Sequence, residues 1–427
     1  MSSFNEGATA NTINILFIPS KKFKTAVLCA LVHRPLGRDE VTRNALLPGV
    51  LRRGCAKYPT LQSMRLAEED LYGSVFGAGI AKKGERQIIQ FYLDAIPKDG
   101  NFYRGLEHLG EFMLRPLEKD GAFLPRVIEG EKENLRADIA ARINNKAEYA
   151  RYRCLETMCA DEPFGIPGDG FAEDIDGISG ESLLNGWKNA LAESPVDFLC
   201  IGDLDEAELR QKISDIFDFP HRNAVGIPDP EIRTAPGEIK TVKEEADATQ
   251  GRLCMGLRCG VGPTAGKRFY ALLTANEIIG GGANSRLFTN LREKNSLCYS
   301  VGSILYRFKS VMLIQSGLST GKLEEAAGMI TDEIGKIKTG GITPEELSNA
   351  RSALTKKYRC IQDQASSVLD YYAAQSILRD GDSLEDAVKR LGEITAGDVL
   401  DSVKDLAVDT VYMMAGKDRG QGEEAAQ

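Results

Sequence analysis

The sequence predicts an α+β protein built from two similar halves. Three observations predict it. Residues recur in the same order 226 positions apart: Ala45-Leu46-Leu47 with Ala271-Leu272-Leu273, Gly54 with Gly280, Leu71 with Leu297, Ser74 with Ser300. Each half mixes short apolar runs of strand character with segments of helical periodicity. Between them lies a polar stretch punctuated by Pro220, Pro228, Pro230 and Pro236. Repetition over several elements marks a duplicated unit, and strands with helices in each copy give tandem α+β domains. The expected boundaries are 1–220, a linker over 221–249, and 250–427.

Composition narrows the function classes. A chain of 427 residues suits two or three domains, and 42% hydrophobic with 27% charged residues is ordinary for a globular protein. The net charge is −9 and no basic stripe argues for nucleic acid. The longest apolar run, Ala26 to Val32, falls far short of the roughly 20 residues of a membrane span. Met1 to Thr12 is polar, unlike a signal peptide. The nine cysteines are odd in number and scattered; the closest pairs, Cys154/Cys159 and Cys254/Cys259, lack C-x-x-C spacing. A reduced, cytoplasmic compartment is expected.

In chain order, residues 24–36 read as a strand. Asn44 to Leu51 is apolar but interrupted by Pro48 and Gly49. Leu61 to Tyr72 reads as an amphipathic helix and residues 86–97 as a strand. A long helix starts near Pro125, carrying Leu135, Ile139 and Ile143 at every fourth position. Trp187 is expected as a core anchor on a helix, and Asp197 to Asp203 as a buried strand. The second half repeats the pattern with strands at Leu253–Val261 and 311–320. Thr343-Pro344-Glu345-Glu346 is a capping box opening a helix striped by Leu347, Ala350, Leu354, Tyr358 and Ile361. Val411 to Gly416 is its closing strand. His33, His108 and His221 are expected at the surface or in loops, and Gly420 to Gln427 as a disordered terminus.

One block stands out. Ile278-Ile279 ends an apolar helix, Gly280-Gly281-Gly282 breaks it, and Ser285-Arg286-Leu287-Phe288 restarts it. Leu291-Arg292-Glu293-Lys294 and Tyr299 follow. Three glycines cost backbone entropy, so they predict either a close backbone approach or a turn needing positive φ. The order G-x-x-x-x-G-K-[ST] is missing, which excludes a P-loop.

With this block and the two-half layout, the chain resembles the insulinase/pitrilysin-type (inverzincin) metallopeptidases over nearly its whole length, most of all bacterial members without the zinc motif. The resemblance implies the LuxS/mitochondrial-processing-peptidase-like metallohydrolase fold, a mainly antiparallel sheet flanked by helices in each half. Active relatives carry H-x-x-E-H, whose histidines bind zinc and whose glutamate activates water, with a distal glutamate as third ligand. Counted back from Gly54, that slot holds Ala45-Leu46-Leu47-Pro48-Gly49, which can neither bind zinc nor shuttle a proton. The distal slot, seven residues after Glu131, falls on Asp138. No metal site and no cofactor are expected in this chain.

The resemblance also implies roles for Arg292 and Tyr299 as catalytic residues completing a partner's site. The tyrosine would donate to the developing oxyanion, and the arginine would hold a substrate oxygen. It assigns Gly280, Gly281, Gly282, Ser285 and Arg286 to substrate binding. The competing structural roles are a surface ion pair for Arg292 and a strand-core position for Tyr299. The expected function is therefore an inactive subunit of a two-subunit peptidase, with zinc in an insulinase-like partner and a peptide or unfolded polypeptide as substrate. The alternative is a non-catalytic peptide-binding or scaffold protein of the same fold.

Overall fold

A computed structural model of the chain describes residues 13–219, 222–234, 237–379 and 381–416. His221, Met1 to Thr12 and Gly420 to Gln427 lie outside the described residues. The first half runs β1 (Asn14–Pro19), β2 (Ala26–Pro35), α1 (Val41–Leu51), α2 (Leu61–Glu69), β3 (Val75–Lys83), β4 (Arg86–Ala95) and α3 (Asn101–Leu114). It continues with a small ribbon, β5 (Glu118–Lys119) and β6 (Ala122–Phe123), then α4 (Pro125–Ala141), α5 (Lys146–Met158), α6 (Gly180–Glu193), β7 (Val196–Gly202) and α7 (Glu206–Ile216). The second half runs β8 (Lys240–Ala246), β9 (Gly251–Arg258), α8 (Lys267–Asn276), β10 (Cys298–Tyr306) and β11 (Val311–Leu318). α9 (Leu323–Lys338), α10 (Pro344–Ile361), α11 (Ala365–Leu378), α12 (Leu384–Glu393), α13 (Ala396–Val403) and β12 (Ala407–Gly416) complete it.

The described residues form two five-stranded sheets of matching topology. Their strand orders are β1-β7-β2-β4-β3 and β10-β11-β9-β12-β8, the same path read from opposite ends. In each, one edge strand runs parallel to the half's closing strand and the other pairings are antiparallel. This is the expected α+β architecture of two similar halves.

By their contacts, the residues group into two units that draw on both halves. One holds the described residues within Met1–Ala140, Ile166–Asp229 and Cys360–Gly381; the other holds those within Ala141–Gly165, Pro230–Arg359 and Asp382–Gln427. Helix α5, from the first half, therefore belongs with the second sheet, and α11, from the second half, with the first.

In the first unit the core gathers Leu28, Ala30, Leu47, Phe91, Leu106, Phe112, Trp187 and Phe198. Trp187 is the helix anchor expected, its indole N–H donating to the Met113 carbonyl at 2.8 Å. α11 is tied to β7 through Asp197, whose Oδ2 accepts from Ser376 at 2.8 Å and lies 3.2 Å from His33 Nε2. Burial alone would raise the Asp197 carboxyl, but His33, Ser376 and Asn14 hold it below its ordinary value.

In the second unit Leu253, Met255, Leu257, Met312, Ile314 and Met413 pack on one sheet face with residues of α8, α9, α12 and α13. The other face, through Cys254, Leu313, Tyr412 and Met414, packs on Ala150 and Cys154 of α5. Glu162, just beyond α5, receives Arg258 Nη2 at 2.5 Å and Lys309 Nζ at 2.6 Å, while Arg258 Nε donates to Asp409 at 3.0 Å. All four side chains are almost wholly buried, so each charge depends on its neighbours.

Three expectations are corrected. Pro48 and Gly49 do not interrupt the Asn44–Leu51 segment: α1 is continuous from Val41 to Leu51 with Pro48 inside it. A proline there costs about 3 kcal/mol, but Leu46, Leu47, Val50 and Leu51 are all buried, at roughly 1.5–3 kcal/mol each. His33 and His108 are buried, not superficial: His33 pairs with Asp197, and His108 packs against Tyr58 and Phe76. Within the stretch 221–249, residues 240–246 form the edge strand β8. Its Lys240, Lys243 and Glu245 are exposed, and such a polar edge reads as loop in sequence.

Candidate functional site

Two regions correspond to the sequence-derived residues, one in each unit. In the first unit the degenerate zinc slot lies on α1. A side-chain carbon at Gly49 would come within 2.3 Å of Glu131 Oε2 on α4, so the Glu131 carboxylate fills the space of a ligand at that position. Arg53, two residues past α1, pairs with the same carboxylate, and Asn134 donates to it at 3.3 Å. The carboxylate facing the slot is therefore Glu131 and not Asp138, which is exposed. Seven residues of helix are two turns, about 10 Å along its axis, which separates the two positions. Among the described residues no three His, Cys, Asp or Glu side chains group as a metal-holding set. The charge that meets Glu131 comes from a guanidinium.

In the second unit the glycine block is a wide turn. Residues Glu277–Gly281 form a π-helical turn after α8, and Gly282 is extended. None of the three glycines has positive φ. Close approach explains them. A carbon at Gly280 would lie 2.8 Å from Ser303 Oγ and 2.9 Å from Ser303 N on β10. A carbon at Gly281 would lie 2.4 Å from Glu277 Oε2. The turn is fastened at its base: Lys357 of α10 pairs with the buried Glu277 at 2.7 Å and donates to the Gly281 carbonyl at 3.2 Å.

Ser285 is buried, and its carbonyl accepts from Thr289 N at 3.0 Å as the chain turns helical again. Arg286 is engaged within the unit. Its guanidinium grips both oxygens of Glu346 at 2.6 and 2.9 Å and donates to the Gly341 carbonyl. Glu346 is also the capping residue of α10, with Thr343 N donating to it at 2.8 Å. These donors outweigh burial and hold its carboxyl below the usual range.

A second π-helical stretch, Phe288–Lys294, carries Arg292. Leu291 is buried beside it, while Arg292 is exposed, its guanidinium 4.7 Å from the Phe288 ring centroid. Among the described residues Arg292 makes no ion pair. Tyr299 sits at an irregularity of β10: Cys298 pairs with Leu318 and Ser300 with Gly317, leaving Tyr299 unpaired between them. Such a bulge re-aims a side chain. Tyr299 is 58% exposed, and its hydroxyl lies 3.2 Å from Ser319 Oγ. Neither residue occupies the strand-core or ion-pair position weighed for it. Both side chains are exposed, with the Tyr299 hydroxyl engaged by Ser319.

Sequence reasoning missed Glu131, Glu277 and Lys357. Each carboxylate sits in a helical or turn segment where charge normally means solvent, and only tertiary packing shows its partner.

The comparisons agree with this geometry. Residues 177–354 match the family described as the peptidase M16 inactive domain. The chain is 28% identical over 423 residues, 97% of each chain, to the probable inactive metalloprotease YmfF of Bacillus subtilis. It is 26% identical over 221 residues, about half of each chain, to the uncharacterized zinc protease YmxG of the same organism. Among solved structures, a conserved protein of Enterococcus faecalis superposes with a TM-score of 0.87 at 23% identity, covering 95% of this chain and 97% of that one. The peptidase M16 inactive domain of Pseudomonas fluorescens superposes with a TM-score of 0.81 at 20% identity, covering 96% and 97%. Within the described residues no helix is long and apolar enough to cross a membrane. The chain is thus similar to inactive M16 peptidases, and its slot for the zinc motif holds Ala45-Leu46-Leu47-Pro48-Gly49.

Proposed function

We propose that this chain is the non-zinc subunit of a two-subunit M16 peptidase and supplies Arg292 and Tyr299 to the partner's zinc site. What supports the reading is the exposure of this pair. The tyrosine is turned outward at a bulge and the arginine carries no ion pair among the described residues, while the chain's own metal slot is filled by Glu131 and Arg53. A tyrosine hydroxyl can donate to an oxyanion, and a guanidinium can hold a carbonyl or carboxylate. Gly280, Gly281, Gly282 and Ser285 shape the backbone along which a peptide would lie. Arg286 keeps that frame in place through Glu346. Zinc would enter only with the partner. The nine free cysteines suit the cytoplasm.

The test is co-expression with an M16 chain carrying an intact H-x-x-E-H, followed by size-exclusion chromatography and cleavage of an unstructured peptide. Co-elution with cleavage absent from either chain alone supports the reading. A chain that binds peptide but never associates with a zinc subunit is the scaffold protein instead.

A further inference from the structure

Arg252 on β9 has no carboxylate partner among the described residues, although its Nε is shut off from solvent. Its guanidinium lies across β11. A side-chain carbon at Gly317 would come within 2.4 Å of Arg252 Nη1 and 3.0 Å of Ser300 Oγ. Arg252, Gly317 and Ser300 stand opposite one another across three adjacent strands, and Ser300 directly follows Tyr299. Glycine at 317 is what lets the planar fork reach that far. Gln315, two residues along and so on the same face, has a buried Oε1 without a partner among the described residues.

Arg252 also lines an open cleft of about 280 Å³ with Lys146, Asp247, Ala248, Thr249 and Gln250. Lys146 likewise has no ion pair among the described residues. Two cations face one acidic side chain, and the surplus is positive. A half-buried, unpaired guanidinium is costly unless an anion visits it.

We infer that Arg252, with Lys146, binds a carboxylate of a peptide whose chain runs past Ser300. The fork suits a bidentate carboxylate. The carboxylate is that of an acidic side chain or of the C-terminus. This rests on the peptide-binding part of the reading above, not on the zinc partner.

Fluorescence anisotropy with the intact chain alone tests it. The probes are one labelled peptide bearing a glutamate and a free C-terminus, its Glu→Gln form and its C-terminal amide. The acid peptide binds about tenfold or more tighter than one of the neutralised forms, since a charge-assisted bidentate pair is worth that much. Loss on Glu→Gln assigns the side chain; loss on amidation assigns the terminus. Arg252→Gln abolishes the difference and Arg252→Lys restores only part of it. Gly317→Ala, which displaces the fork while keeping the charge, abolishes it too and remains decisive if Arg252→Gln misfolds. Equal affinity for all three peptides, no binding of any, or unaltered selectivity in a folded Arg252→Gln overturns the inference. If selectivity holds while no zinc subunit gains activity, only the shared-site reading falls.

Discussion

Glu131 accepts an ion pair from Arg53 at the position where a carbon on Gly49 would touch it. The Arg53 guanidinium neutralises the carboxylate that faces the slot. Elemental analysis of the dialysed chain is expected to find no stoichiometric zinc. Retention of about one zinc per chain would contradict this account of the slot.

The buried group Glu162, Arg258, Lys309 and Asp409 should govern how α5 is held. Glu162→Ala removes the carboxylate shared by two buried cations, leaving Arg258 with Asp409, and is expected to cost about 3–5 kcal/mol, read as a fall in urea midpoint. A variant as stable as wild type would show that water enters the group freely.

The same carboxylate gives a pH dependence. Burial opposes its ionisation, but hydrogen bonds from Arg258 and Lys309 prevail and hold Glu162 below its ordinary 4.5. A depressed carboxylate contributes stability that is full above the unfolded value and lost as pH falls through the folded one. Melting temperature should therefore decline below about pH 4.5, and Glu162→Gln should flatten that acid limb relative to its own neutral-pH value. An unchanged acid limb would assign the loss to other carboxylates.

Arg286 is expected to act through structure. Arg286→Ala removes the fork on Glu346 and with it support for the start of α10, costing about 1–3 kcal/mol. Arg286→Lys should recover little, because an ammonium cannot bridge both oxygens as a guanidinium does. The readout is thermal stability with peptide affinity measured beside it. Lost affinity at unchanged stability would instead make Arg286 a direct substrate ligand.

Much of the fold was legible because local chemistry and tertiary role coincide. The Thr343–Glu346 box does cap α10, Trp187 does anchor α6, and the offset between Ala45 and Ala271 does align α1 with α8. What was not legible depends on distant partners. Nothing near Glu162 announces Arg258, so the transfer of α5 to the second unit could not be read. Nothing near Asp197 announces Ser376, so the position of α11 was equally hidden. The glycine block read equally as a close approach or a positive-φ turn, because the group that approaches it, Ser303, lies on the next strand. Counting along the chain puts the distal slot on Asp138, whereas only the folded backbone shows that Glu131 is the carboxylate that reaches Gly49.

Tyr299→Phe tests the central claim most directly. The substitution removes one hydroxyl from a side chain that is 58% exposed and touches Ser319, so melting temperature and association should stay nearly unchanged. In the complex reconstituted with a zinc-bearing M16 subunit, kcat should fall by about 10²–10³-fold, the usual worth of one oxyanion donor. Arg292→Ala in the same assay should act partly through KM. A fully active, well-folded Tyr299→Phe complex would contradict the shared site and leave this chain a peptide-binding scaffold.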